Sequence, residues 1–166
     1  ALAKLEVRDG AVYWDVGAGT GSVSVELALL APRSQVYAVE YKGEACALIR
    51  ANRERFGAYN LEVAEGRAPA ALAELPAPDG VFIGGSEGEL IPILEAALSR
   101  NPAARFCVTA IAVETLGVAV AAFTQLEMSP QITQITVARS RRAGERNLML
   151  GQNPVWIVTG QKEALL

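Results

Sequence analysis

Chemistry in this sequence concentrates in one short run, Asp15-Val16-Gly17-Ala18-Gly19-Thr20-Gly21. Glycines at alternate positions let a backbone turn tightly and press against a ligand, because no Cβ blocks positive φ values or the contact itself. An apolar, strand-length stretch precedes the run and an amphipathic one follows it from Ser22. Free N–H groups at a helix start would therefore point at whatever the loop holds. A dinucleotide fingerprint, G-x-G-x-x-G counted from Gly17, would need glycine where the chain has Ser22, so a nicotinamide oxidoreductase is disfavoured. A second acid, Glu40, ends the next apolar run and is followed by Tyr41; a carboxylate there can accept hydrogen bonds from both hydroxyls of a ribose. A third element, Glu65-Gly66-Arg67-Ala68, offers Gly66 and the backbone of Ala68 to an adenine, with Arg67 between them. A fourth, Ile83-Gly84-Gly85-Ser86, leaves open backbone at Gly84 and Gly85 for a broad, flat acceptor.

Stretches of strand length alternate with amphipathic ones of helix length. Buried strands are predicted at Val12–Val16, Gln35–Val39, Leu61–Ala64, Gly80–Ile83 and Arg105–Ala110, each nearly continuous in apolar residues as in a parallel sheet covered on both faces. Helices are predicted at Ser22–Leu30, Gly43–Phe56, Glu87–Leu98 and Val113–Gln125. After Met128 the rhythm changes. Gln131–Arg139 alternates polar and β-branched residues as a half-exposed strand does, and Val155–Thr159 supplies a short closing strand after Asn153-Pro154. Asn153-Pro154-Val155-Trp156 reads as the entry to that strand with a packing tryptophan. Ser140–Gln152 reads as a polar, basic loop in which Arg139, Arg141, Arg142 and Arg146 crowd together. A solvated loop accounts for them, and so does a grip on several ligand carboxylates, for which Arg139 and Arg146 are the candidate contacts.

Composition narrows the classes. At 166 residues, 51% hydrophobic and 20% charged, the chain suits one globular domain over residues 1–166. It contains no histidine, which excludes a His-liganded metal and a Ser/His triad, and no metal site is expected. Cys46 and Cys107 lack metal or redox spacing and read as small buried hydrophobes. A net charge of −3 offers no global field for nucleic acid. No apolar run has the length of a membrane span and no leader opens the chain, so a cytoplasmic protein is expected. Ala1–Val7 reads as the end of a truncated helix, so the sequence is expected to be part of a longer chain.

Asp15 and its glycine loop, set between strand and helix, resemble the cofactor loop of class I S-adenosylmethionine-dependent methyltransferases. The resemblance implies a Rossmann-like, doubly wound, seven-stranded α/β sheet with an antiparallel last strand. It also implies that Asp15 faces the amino-acid moiety of S-adenosyl-L-methionine, that Gly17, Ala18, Gly19 and Gly21 admit its carboxylate and ribose, and that Glu40 holds the ribose. Trp14 through Glu26, the Phe82-Ile83-Gly84-Gly85 turn, the Glu114-Thr115 helix start and the Asn153-Pro154-Val155 closure together resemble the decarboxylating precorrin methyltransferase family of cobalamin biosynthesis. That resemblance implies methylation of carbon 15 of a precorrin with loss of carbon dioxide from an acetate side chain, and homo-oligomers, tetramers among them. It covers nearly the whole chain. Two places depart from the family pattern. Gly66-Arg67-Ala68-Pro69 replaces Gly-Asp-Ala-Pro, and Thr109 and Ala112 replace Asn and Thr at the fifth-strand exit that faces the substrate. Other acceptors, such as RNA or a protein carboxylate, and a non-catalytic binding domain are the competing readings.

Overall fold

The structure is a computed structural model that describes residues 1–162; residues 163–166 of the expected domain lie outside it. A short α1 (Leu2–Leu5) leads into β1 (Val12–Val16), α2 (Ser22–Leu30), β2 (Gln35–Glu40), α3 (Gly43–Phe56) and β3 (Leu61–Glu65). After a single 3-10 turn at Ala70–Leu72 come β4 (Gly80–Ile83), α4 (Leu90–Arg100), β5 (Arg105–Ala110) and α5 (Val113–Gln125). The chain closes with β6 (Gln131–Ile135), β7 (Ala138–Ala143), β8 (Arg146–Gly151) and β9 (Val155–Gly160).

Seven strands form one sheet in the order β3-β2-β1-β4-β5-β9-β6. The first five run parallel, while β9 is antiparallel to both β5 and β6. This is the doubly wound arrangement expected from the sequence, with the closing strand reversed. Because side chains alternate across a strand, β1 divides its residues between two cores. Trp14 and Val16 join Ile93, Leu94, Phe106 and Phe123 on the face covered by α4 and α5. Tyr13 joins Leu5, Val25, Leu27 and Ile49 on the face covered by α1, α2 and α3. Asp15 shares that second face and is buried under α2. Each large apolar side chain removed from water in this way stabilises the fold by about 1.5–3 kcal/mol.

Three expectations are corrected. The helix expected from Glu87 starts at Leu90, because Gly84 through Glu89 form an open loop in which Glu87 takes a left-handed φ of 48°. Pro92 sits in the first turn of α4, where its missing N–H breaks no helical bond. The basic loop expected at Ser140–Gln152 is instead a β-hairpin, and the strand expected to continue to Arg139 stops at Ile135. β7 and β8 join through Gly144-Glu145, and Gly144 at φ 64° takes the first turn position, where a tight hairpin favours glycine. The cysteines conform to expectation, since both are free and buried.

Candidate cofactor site

The site lies where chain order reverses, between β1 and β4, at the C-terminal ends of the parallel strands; open α/β sheets bind ligands at such switch points. Backbone hydrogen bonds draw the strand ends together. Gly17 and Ala18 N–H groups donate to the Val39 carbonyl at 3.0 and 3.2 Å, Gly84 N–H donates to Val16 at 3.0 Å, and Gly66 N–H donates to Glu40 at 2.9 Å. Gly17 has a φ of 71°, and a Cβ there would stand 2.8 Å from the backbone nitrogen of Gly85. The first and fourth strand exits therefore touch backbone to backbone.

Glu40 joins these loops. Its Oε2 accepts the Gly19 N–H at 2.9 Å, and its Oε1 accepts Tyr41 N–H at 2.9 Å and Lys42 N–H at 3.0 Å. A carboxylate has about four acceptor positions, so capacity remains for a ligand hydroxyl.

Beyond it a cavity of about 530 Å³ opens, within the roughly 300–1,000 Å³ that small-ligand clefts span. Its wall brings together Gly17, Glu40, Tyr41, Gly66, Arg67, Ala68 and Gly85, all singled out from sequence. Across it, the Arg67 guanidinium lies 3.9 Å from the Tyr41 ring centroid and is ion-paired with Glu87. The Tyr41 hydroxyl, followed by Arg67, holds the Glu87 carboxyl below the usual carboxylate range.

Other singled-out residues stand apart from this wall. Ala18, Gly19 and Gly21 complete the loop without lining the cavity, and Gly84 packs against the Gly17 carbonyl. Asp15 is buried behind the loop, where Oδ2 accepts the Ser24 hydroxyl of α2 and Oδ1 has no partner among the described residues. Burial raises its pKa to about 6; the Ser24 hydrogen bond opposes that rise and the charge of Glu40 adds to it. Thr109 is half-buried near the end of β5, opposite Ile157 of β9. Arg139 and Arg146 are exposed on the hairpin.

The profile of the precorrin methyltransferase domain matches residues 1–162. The chain belongs to this family. A relative from Pyrobaculum calidifontis, named a probable cobalt-precorrin-6B C(15)-methyltransferase (decarboxylating), is 45% identical over 161 residues, covering 96% of this chain and 83% of the relative. The crystal structure of a precorrin-6y C5,15-methyltransferase from Geobacter metallireducens is similar with a TM-score of 0.91 and 36% identity, over 98% of this chain and 84% of that one. A precorrin 8w decarboxylase structure from Methanobacterium thermoautotrophicum gives a TM-score of 0.87 and 35% identity, over 96% and 86% of the two chains.

Sequence reasoning missed Lys42, Pro69, Ser86, Glu87, Glu89 and Ile93 of the cavity wall in this precorrin methyltransferase family member. Lys42 and Pro69 adjoin motifs already recognised, so proximity was a usable signal. Glu87 and Glu89 were hidden by the assignment of that segment to a helix.

Gly17→Ala combines left-handed strain with a collision against Gly85 and should lower stability by about 1–3 kcal/mol. Gly19→Ala has open space at its Cβ and should cost only the backbone strain, about 1 kcal/mol. Urea unfolding checks the ranking, and equal losses would contradict the contact. For Asp15, between pH 3.8 and about 6 the folded chain keeps a proton that the unfolded chain has released. Its contribution to stability therefore falls as pH rises through that window, and the penalty is complete above it. Relative to Asp15→Asn, the parent protein should lose about 2 kcal/mol between about pH 4 and about pH 7. A pH-independent difference between the two unfolding curves would remove the raised pKa.

Proposed function

We propose that this chain is an S-adenosylmethionine-dependent C-methyltransferase that methylates carbon 15 of a precorrin, with loss of carbon dioxide from an acetate side chain, in cobalamin biosynthesis. The observation that carries this reading is the Glu40-stitched cavity at the β1/β4 switch point in a chain of this family.

S-adenosyl-L-methionine fits the residues present. Gly17 and Gly85 line the cavity with bare backbone, Glu40 keeps acceptor capacity for the ribose hydroxyls, and the cavity has room for a nucleoside. Gly66, Arg67 and Ala68 bound the adenine end, with Tyr41 as its aromatic neighbour. The Oδ1 of Asp15, a buried acceptor without a partner among the described residues, stands behind the loop of Ala18, Gly19 and Gly21 and is assigned to the cofactor's amino group. When bound, the cofactor supplies an electrophilic methyl group.

The protein's own contribution is alignment. An electron-rich carbon of a reduced tetrapyrrole is already a nucleophile, so holding it in line with the methyl and excluding water supplies the rate, and that step needs no strong base. Gly85 leaves backbone open on the acceptor side with Gly84 packed beside it against the Gly17 carbonyl, and Thr109 stands at the adjoining strand exit. Arg139 and Arg146 are the contacts for substrate carboxylates.

A homo-oligomer, such as a tetramer, belongs to the same reading. The support is β6, an edge strand of the sheet on which Ile132 and Ile135 are exposed. A cytoplasmic location accords with two free, buried thiols, and among the described residues no helix is long and apolar enough to cross a membrane.

Mass spectrometry of a precorrin incubated with the protein and S-adenosylmethionine tests the activity. The product should gain one methyl and lose one carboxyl group as carbon dioxide. Methylation with every carboxyl retained at full turnover would contradict the reaction while leaving the fold untouched.

A further inference from the structure

The hairpin sorts its arginines in a way the sequence does not show. In the β7/β8 ladder Arg139 stands opposite Leu150, Arg141 opposite Leu148, and Ala143 opposite Arg146. Directly opposed residues project to one face, and successive residues alternate. One face thus carries Arg139, Arg141 and Arg146 beside Leu148 and Leu150. The other carries Arg142 with Ser140, Asn147 and Met149.

Every residue of both strands is exposed, and among the described residues none of these arginines meets a carboxylate. Arg142 alone is engaged locally, its Nε donating to the Gly144 carbonyl at 3.1 Å. The hairpin also emerges at the working edge of the sheet. Ala110 at the end of β5 pairs with Trp156, and Ile135 pairs with Val155, so β6 exits and β9 enters at the same end of the sheet as the strand ends that deliver Gly17 and Gly85 to the cavity, with β5 between.

A face with uncompensated guanidinium groups flanking two leucines suits a flat apolar body rimmed by acids. Leucines can cover the plane of such a ligand while each guanidinium takes a carboxylate in bidentate fashion. Same-face residues two apart along a strand lie about 6.5–7 Å from one another, within the reach of short flexible acid arms. Self-association through this face would oppose like charges, which disfavours a second copy as its occupant.

We infer that this face of the hairpin reads the peripheral carboxylates of the tetrapyrrole substrate, and that Arg141 is a specificity-determining residue acting together with Arg139 and Arg146. The identity of the substrate rests on the function proposed above; the face itself rests on the strand register.

Arg141 and Arg142 make a matched test, since they are neighbours with the same charge on opposite faces. Uroporphyrin, which carries an acetate and a propionate on each pyrrole ring, serves as a fluorescent probe titrated into the full chain. Arg141→Gln should weaken its binding about tenfold, as expected for one charged hydrogen-bonding partner. Arg142→Gln should change it by less than about twofold, and Arg141→Lys should recover part of the loss because it restores charge without the bidentate fork. Affinity for S-adenosylhomocysteine should stay unchanged in all three, which separates ligand contact from misfolding. Coproporphyrin, with one propionate per ring, should bind more weakly than uroporphyrin. Equal effects of R141Q and R142Q, no effect of either, or equal affinity for the two porphyrins would overturn the inference. Absence of precorrin turnover with Arg141-dependent uroporphyrin binding retained would sink the methyltransferase reading and leave this face standing. Normal turnover with an unchanged KM in R141Q would do the reverse.

Discussion

The Glu40 carboxylate accepts N–H bonds from Gly19, Tyr41 and Lys42, tying the glycine loop after β1 to the turn after β2. Backbone donors in such a place face either water or a ligand, and a charged acceptor fixes them more strongly than a neutral one. The arrangement has a cost, because Glu40 adds to the charge that Asp15 feels and helps burial push the Asp15 pKa to about 6. Two acids close together behind a glycine loop are poorly placed for stability alone. Their position suits a ligand that brings hydroxyls to one and an amino group to the other.

Much of this was legible from residue types. The five parallel strands and four main helices follow from where apolar runs stop, because a strand buried on both faces and a helix with one apolar stripe leave different periods in the sequence. The glycine loop was legible for the same reason that it works, since few environments other than close backbone approach tolerate alternating glycines. Gly17 against Gly85 is that approach. Glu40 was identified as a strand-end acid, but its bonds to the loop were not, since they depend on how β2 lies beside β1.

What stayed hidden depends on register and on contacts between distant segments. Arg139, Arg141, Arg142 and Arg146 look like one basic cluster along the chain, and the β7/β8 ladder divides them. The burial of Asp15 under α2 follows from which face of β1 meets the helix, which a motif read along one strand does not contain. The surroundings of Arg67 likewise appear only in space. Its guanidinium stacks on Tyr41 and pairs with Glu87, so a carboxylate reaches this wall of the cavity from a different strand exit.

Calorimetric titration of S-adenosylhomocysteine into the parent chain and into Glu40→Ala measures what this carboxylate contributes. Removal of the carboxylate that braces the loop, and that we propose accepts the ribose, should weaken binding by about 1–3 kcal/mol while the cooperative unfolding transition is retained. Affinity unchanged in a folded Glu40→Ala protein would place the cofactor elsewhere and contradict the account.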